Sequence, residues 1–222
     1  MILIIATACT SATEVAVKVP PGQIVRYLAL GDSYTIGERV DSVDRWPDRL
    51  ARELEGAGIP LVDLQIIAQT GWTTSELDAA IDGVDPQGRF GLVSLLIGVN
   101  NQFRGADIAE YRTEFVGLLN RAIGFAGGDP SRVIVVSIPD WGVTPFASNH
   151  DTAQIAEEID AFNVVAELEA VAAGSHWVDI TPTSRNGRSG FVADDGLHPS
   201  RSQYVAWVEL ILPVAQQVLF DA

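Results

Sequence analysis

Five short apolar runs, separated by longer amphipathic stretches, dominate the sequence from residue 24 onward. Hydrophobic residues are continuous within each run rather than alternating, which indicates strands that are buried on both faces. The runs occupy residues 24–30, 61–68, 92–99, 132–138 and 176–180. Parallel strands need long crossover connections, so strands that alternate with helices predict a parallel sheet covered on both sides. The expected fold class is therefore α/β, with three layers in the order α/β/α.

The helical stretches carry apolar residues at intervals of three and four. The first, residues 46–58, ends in two glycines, which are a stop signal for a helix. Three further stretches show the same spacing, at residues 107–126, 153–174 and 200–220. The last should begin with a capping box between Ser200 and Gln203, and Pro213 should kink or divide it.

Composition excludes several classes of function. Lys plus Arg is 14 and Asp plus Glu is 29, so the formal charge of 14 minus 29 is -15. This charge argues against nucleic acid as a partner and against an anionic membrane surface. Cys9 is the only cysteine, and no His-Glu-x-x-His pattern accompanies the three histidines. We therefore expect no disulfide, no metal and no other cofactor, while the oligomeric state is left open.

The 222 residues suit one domain, which we assign to residues 21–222. Residues 1–20 form a separate N-terminal segment that starts with an apolar run and has small residues before Cys9. A lipoprotein signal has that pattern, but the basic start typical of export signals is missing. The protein would be exported or lipid-anchored if residues 1–9 are a signal remnant, and cytoplasmic otherwise. No segment has the length of a membrane-spanning helix, so stable membrane insertion is not expected.

Polar residues of chemical interest follow the predicted strands. Ser33 ends the first strand in the block Gly-Asp-Ser, Gly71 follows the second, and Asn100 follows the third in the block Gly-Val-Asn-Asn. Asp195 and His198 lie three residues apart in the block Asp-Asp-Gly-Leu-His-Pro, before the last helix. Because the carboxyl ends of parallel strands meet at one edge of a sheet, these residues should converge there.

The chemistry of these residues is complementary. A serine hydroxyl becomes a good nucleophile when an imidazole takes its proton, and a carboxylate must orient that imidazole. His198 is the candidate base for Ser33, with Asp195 as its orienting carboxylate and Asp194 as the rival. The oxyanion of a tetrahedral intermediate needs fixed donors, which the Ser33 amide, the Gly71 amide and the Asn100 side chain would supply. The alternative for Ser33 and Asn100 is an ordinary role in a turn or helix cap.

With these blocks in this order, the sequence resembles the SGNH hydrolases of the GDSL esterase/lipase group. Their nucleophile, oxyanion glycine, oxyanion asparagine and Asp-x-x-His pair correspond to Ser33, Gly71, Asn100, and Asp195 with His198. The resemblance implies a flavodoxin-like fold with a five-stranded parallel sheet. It also implies hydrolysis of esters or related acyl bonds of small molecules, without a required metal.

Two positions depart from the family pattern. Asn101 stands where the family usually has Asp, and Gln69 stands where an Asn is often found, two residues before Gly71. We expect the first change to be tolerated, since Asn100 is the proposed donor. A large gain of activity in Asn101→Asp would contradict this expectation.

The leading functional hypothesis is a serine esterase for carboxylic esters with short acyl chains, because the chain has little room for inserted lids. Carbohydrate deacetylase and lysophospholipase or thioesterase remain alternatives within the same family. The alternative from another class is a non-catalytic ligand-binding module, although the sequence has no glycine-rich phosphate loop. Trp72 and Phe103 are candidate pocket residues, with helix packing as the other explanation for these aromatic side chains.

Overall fold

The structure is a computed structural model that describes residues 24–220. The expectations for residues 1–20, including Cys9 as a lipid-attachment site, fall outside the described residues. Among residues 24–220, no helix is both long enough and apolar enough to cross a membrane.

A five-stranded parallel sheet forms the centre of the fold, which confirms the predicted class. Its strands lie in the order β2-β1-β3-β4-β5, the order of flavodoxin-like sheets. The bounds are β1 Val25–Gly31, β2 Leu61–Ala68, β3 Leu92–Leu96, β4 Val133–Val136 and β5 His176–Val178. The third strand is shorter than predicted because Gly98 adopts φ 132° and starts a helix.

Helices connect the strands and cover the sheet. The helices over residues 46–56, 108–125 and 152–173 match predicted amphipathic stretches, and each buries its apolar face. The described residues contain α1 Ser33–Ile36, α2 Trp46–Gly56, α3 Thr74–Val84, α4 Val99–Phe103, α5 Ile108–Phe125, α6 Thr152–Ala173, α7 Thr181–Arg185 and α8 Arg201–Phe220.

The last helix differs from the sequence prediction in one respect. α8 runs through Pro213 without a break, so the expectation of a divided helix was wrong. Ile211 and Ala215, on either side of the proline, are both fully buried, and this packing holds the helix together across the missing N–H. Only half of the predicted capping box forms: the Ser200 hydroxyl accepts from the Gln203 amide, while the Ser200 amide donates to Phe191.

The topology and register explain where a site can form. After β1 the chain passes to β2 on one side, and β3 then joins β1 on the other, which makes the end of β1 a switch point of the sheet. Gly31 at the end of β1 is level with Ala68 of β2 and with Leu96 of β3. The loops that follow these three strands therefore meet at one edge.

Candidate active site

A small apolar cavity of about 170 Å³ lies at this edge of the sheet. Four of the residues singled out in the sequence line it together, although they lie up to 165 positions apart: Ser33, Gly71, Asn100 and His198. The convergence follows from the level ends of the central strands and from the loop before α8. The site thus joins a hydroxyl, an imidazole and two groups with N–H donors around one space.

The backbone around Ser33 is tightly constrained. Ser33 is the first residue of α1, directly after β1, and only 5% of its surface is exposed. The Asp32 carboxylate caps this short helix by accepting a hydrogen bond of 3.0 Å from the Tyr34 amide. A Cβ atom at Gly31 would collide with the Thr35 hydroxyl and the Leu96 carbonyl. Glycine is therefore required where the strand turns sharply into the helix.

Asp32 is a fully buried carboxyl group beside Ser33. Burial raises its pKa to about 7, even though the hydrogen bond from the Tyr34 amide favours the ionised form. The other carboxyl oxygen, Oδ2, is buried without a hydrogen-bond partner among the described residues. These observations indicate a structural cap that is neutral in mildly acidic solution, as expected for a buried carboxyl group.

The raised pKa of Asp32 predicts a loss of stability as the pH rises. In the unfolded chain this group ionises near pH 4, whereas in the folded chain it ionises only near pH 7. Its ionisation therefore favours unfolding between these values, by up to about 4 kcal/mol at pH 7 and above. We therefore expect Asp32→Asn to become more stable relative to the wild type as the pH rises from pH 4 to pH 8. The measurement is the difference between the two free energies of unfolding in urea.

The matched control for this prediction is Asp194→Asn, which changes an exposed carboxylate near the same site. Both variants are measured over the same pH window, so that a gain specific to Asp32→Asn can be recognised. A pH-independent difference between Asp32→Asn and the wild type would show that Asp32 ionises normally in the folded protein.

His198 and Asp195 form a close pair on the loop before α8. The ring nitrogen Nδ1 of His198 lies 2.6 Å from Oδ2 of Asp195, while Oδ1 accepts from the amides of Leu197 at 2.9 Å and His198 at 3.0 Å. Burial raises the pKa of Asp195, but these three hydrogen bonds outweigh it and hold the pKa below its usual value. The carboxylate is thus ionised and oriented toward the imidazole at neutral pH.

The loop that carries this pair is held on both sides. The Ala193 amide donates to the His198 carbonyl at 2.8 Å, and the Gly196 carbonyl accepts from the Phe146 amide at 2.9 Å. The Tyr34 ring packs edge-on against the His198 ring, with ring centres 5.9 Å apart. These contacts restrict the orientation of the imidazole that lines the cavity.

Asp194, the rival carboxylate, has a different position. It lines a separate groove with Arg39, Asp44 and Arg201, whereas Asp195 contacts the imidazole. The two neighbouring carboxylates therefore have different surroundings, and only that of Asp195 contacts His198.

The candidate oxyanion donors come from two loops. Gly71 has φ 87°, a left-handed conformation that favours glycine, and its carbonyl accepts from Arg104 at 2.6 Å. Asn100 donates one side-chain N–H to the Trp72 carbonyl at 2.9 Å. Its amide retains a second N–H. Asn100 and the Gly71 loop are therefore joined by a direct hydrogen bond.

Asn101, which replaces the usual Asp of the sequence pattern, points away from the cavity lining and is buried. Its side-chain oxygen accepts from the Thr74 amide at 3.0 Å, and its nitrogen donates to the Thr74 hydroxyl at 2.6 Å. The same nitrogen lies 3.5 Å from Glu114, which also accepts a hydrogen bond from Thr74. An amide suits this place because it both donates and accepts, whereas a carboxylate there would face that of Glu114.

Aromatic rings form the opposite wall of the cavity. Phe103 lines it together with Trp141 and Phe146, and the Phe103 and Trp141 ring centres lie 5.3 Å apart. Trp72 is not among the lining residues; it is half-buried and packs against the hydrophobic core. Trp141 and Phe146 also come after a strand end, that of β4, but the sequence analysis favoured Trp72 and Phe103 over them.

No group of three His, Cys, Asp or Glu side chains among residues 24–220 is arranged to hold a metal ion.

Comparisons with known proteins identify the family and the fold of the chain. A family model for the GDSL-like Lipase/Acylhydrolase family matches residues 29–206. No curated protein sequence matches the chain. The crystal structure of TesA superposes with a TM-score of 0.69 at 19% identity, covering 87% of this chain and 99% of TesA. A lipase/acylhydrolase from Enterococcus faecalis has a TM-score of 0.66 at 21% identity, covering 87% and 96%.

A third similar structure is Axe2, an acetylxylan esterase from Geobacillus stearothermophilus. Its TM-score is 0.65 at 17% identity, and the superposition covers 86% of this chain and 94% of Axe2. At these identities the similar structures establish the shared fold.

Proposed function

The chain belongs to the GDSL-like lipase/acylhydrolase family, and from that premise we propose that it is a serine esterase with Ser33 as its nucleophile. One observation carries the proposal: Ser33, His198, Gly71 and Asn100 line the same small cavity, with Asp195 bound to His198. The non-catalytic alternative is disfavoured, because members of this family are hydrolases.

In the first half of the reaction, the Ser33 hydroxyl attacks the ester carbonyl and His198 accepts its proton. The imidazolium that forms is stabilised by the Asp195 carboxylate at 2.6 Å from Nδ1. The protonated imidazole then donates to the departing alcohol, which leaves an acyl group on Ser33. Water, activated by the same imidazole, releases the acid and restores the serine.

Among the described residues, no hydrogen bond joins the Ser33 hydroxyl to His198, although both line the cavity. Such bonds are often long in unliganded enzymes and tighten when substrate binds. The negative oxygen of the intermediate would be stabilised by the amides of Ser33 and Gly71 and by the remaining N–H of Asn100.

The cavity supports a preference for short acyl groups. Its volume of about 170 Å³ is well below the range of about 300–1,000 Å³ that is usual for pockets of drug-sized ligands. The walls from Val99, Phe103 and Leu197 are apolar, which suits an acyl chain of a few carbons.

Hydrolysis of p-nitrophenyl esters by the purified protein, with a metal chelator present, tests both parts of the proposal. We expect acetate and butyrate esters to be hydrolysed with a kcat/KM about 10-fold or more above that of the dodecanoate ester, since a long chain exceeds the cavity. Faster turnover of the dodecanoate ester would contradict the short-acyl preference. Absence of hydrolysis of all these esters would contradict the esterase proposal itself.

A further inference from the structure

The turn after α1 is connected directly to the Ser33 backbone. The Ser33 carbonyl accepts hydrogen bonds from the amides of Gly37 at 3.1 Å and Glu38 at 3.0 Å, and the Val40 amide closes the turn on the Gly37 carbonyl at 3.2 Å. Residues 37–40 are therefore anchored to the backbone of the nucleophile. Within this turn, Glu38 and Arg39 are adjacent charged residues that the proposed mechanism does not use.

The two side chains extend to opposite sides of the site. Arg39 places Nε 3.5 Å from Oδ2 of Asp195, the same oxygen that contacts the His198 ring. Glu38 accepts a hydrogen bond of 2.6 Å from the Thr70 hydroxyl, directly before Gly71. The two residues also contact each other, with 3.9 Å between Arg39 Nε and Glu38 Oε1. One turn thus links the loops of the nucleophile, of the base and of an oxyanion donor.

The backbone of Arg39 supports a specific role for this turn. Arg39 and Asp85 are the two residues other than glycine with positive φ in the described part of the chain, at 70° and 47°. Asp85 ends helix α3, a common place for this conformation. Arg39 ends no helix, and a left-handed conformation costs a residue other than glycine some free energy. The surrounding contacts hold Arg39 in this conformation, with its side chain directed to Asp195.

We propose that Glu38 and Arg39 are positioning residues that align the Asp195–His198 pair and the Gly71 loop with Ser33. Arg39 holds the Asp195 oxygen that also contacts the His198 ring, and Glu38 holds the Thr70 hydroxyl. The kinetic consequences of this inference rest on the proposed esterase function. The contact of Arg39 with the Asp195–His198 pair can be tested without measuring activity.

The charge of Arg39 has a consequence for the pH profile. Asp195 on the same loop and Tyr34 on α1 face the His198 ring, with Arg39 and then Glu38 beyond Asp195. A cation next to Asp195 disfavours the protonated form of the His198 ring for two reasons. The cation repels the imidazolium, and it competes with the imidazolium for the Asp195 carboxylate. Removing this cation should therefore move the acid limb of the rate profile to higher pH.

The test compares kcat/KM for p-nitrophenyl acetate from pH 5 to pH 9 in Arg39→Gln, Arg39→Lys and Arg201→Gln. Arg201 is the matched control, because it is an exposed arginine near the same loop that pairs with Asp44 instead. We expect the acid limb of Arg39→Gln to move up by about half a pH unit and the maximum rate to fall about 2- to 5-fold. Arg39→Lys should restore most of the acid limb, and Arg201→Gln should match the wild type.

Glu38→Ala provides a separate readout of the other contact. Its maximum rate should fall while its acid limb moves much less than that of Arg39→Gln, because Glu38 acts on the oxyanion loop. In 1 M salt, which screens exposed charges, the acid limb of the wild type should approach that of Arg39→Gln. An Arg39→Gln profile identical to that of Arg201→Gln would overturn the role of Arg39, and an unchanged rate in Glu38→Ala would overturn that of Glu38.

Proton NMR titration of the His198 ring, assigned with His198→Asn, tests the arrangement independently of catalysis. The titration midpoint should be higher in Arg39→Gln than in the wild type, and Arg201→Gln should match the wild type. An inactive wild type with this NMR shift would contradict the esterase proposal and leave the contact supported. An active wild type without the shift would contradict the role of Arg39 alone.

Discussion

Alanine in place of Ser33 or His198 should reduce kcat/KM for p-nitrophenyl acetate by about 1,000-fold or more. The first change removes the attacking oxygen, and the second removes the imidazole that lines the cavity. Because the two groups act in the same step, the double variant should be about as inactive as either single variant. Rates of purified variants, with folding checked by circular dichroism, provide the measurement.

Each of these variants has a control of the same residue type. Ser202 is exposed on α8, and His176 opens β5, where its ring contacts the Ser131 carbonyl. Ser202→Ala and His176→Ala should keep the wild-type rate. If Ser33→Ala hydrolysed the ester at the wild-type rate, Ser33 would be only the first residue of a helix that follows a strand.

The second large effect is expected at the two neighbouring aspartates. Asp195→Asn should lower kcat about 100-fold or more, whereas Asp194→Asn should change it less than about 2-fold. An asparagine at position 195 keeps an acceptor for the Leu197 and His198 amides, so the loop should stay folded. It loses the negative charge that orients the imidazole and stabilises its protonated form.

The kinetic comparison of these variants also decides between the two carboxylates. Thermal melting should show similar stabilities for Asp195→Asn and Asp194→Asn, so that a difference in rate reflects chemistry. A larger loss at Asp194 would show that the loop changes its conformation when substrate binds, and would contradict the assignment made from the 2.6 Å contact.

The sequence by itself determined the fold class and the order of the site along the chain. Continuous apolar runs can be buried only in a central sheet, and alternation with helices requires parallel strands. Hence the five strands, the carboxyl-end location of the polar blocks and membership of the hydrolase family were all predictable. Helix α3 was not predicted, although the capping box between Thr73 and Glu76 is a signal for the start of a helix.

Only the tertiary structure decided which side chains contact one another at the site. Asp194 and Asp195 are equivalent by composition, but only Asp195 contacts the imidazole, while Asp194 lines a separate groove. Trp72 packs on the core, while Phe103, Trp141 and Phe146 form the cavity wall. The contacts of Glu38 and Arg39 with Thr70 and Asp195 were likewise invisible in the sequence. Local patterns specify burial and backbone conformation, but contacts between side chains far apart in the chain depend on how the strands are ordered and where each loop turns.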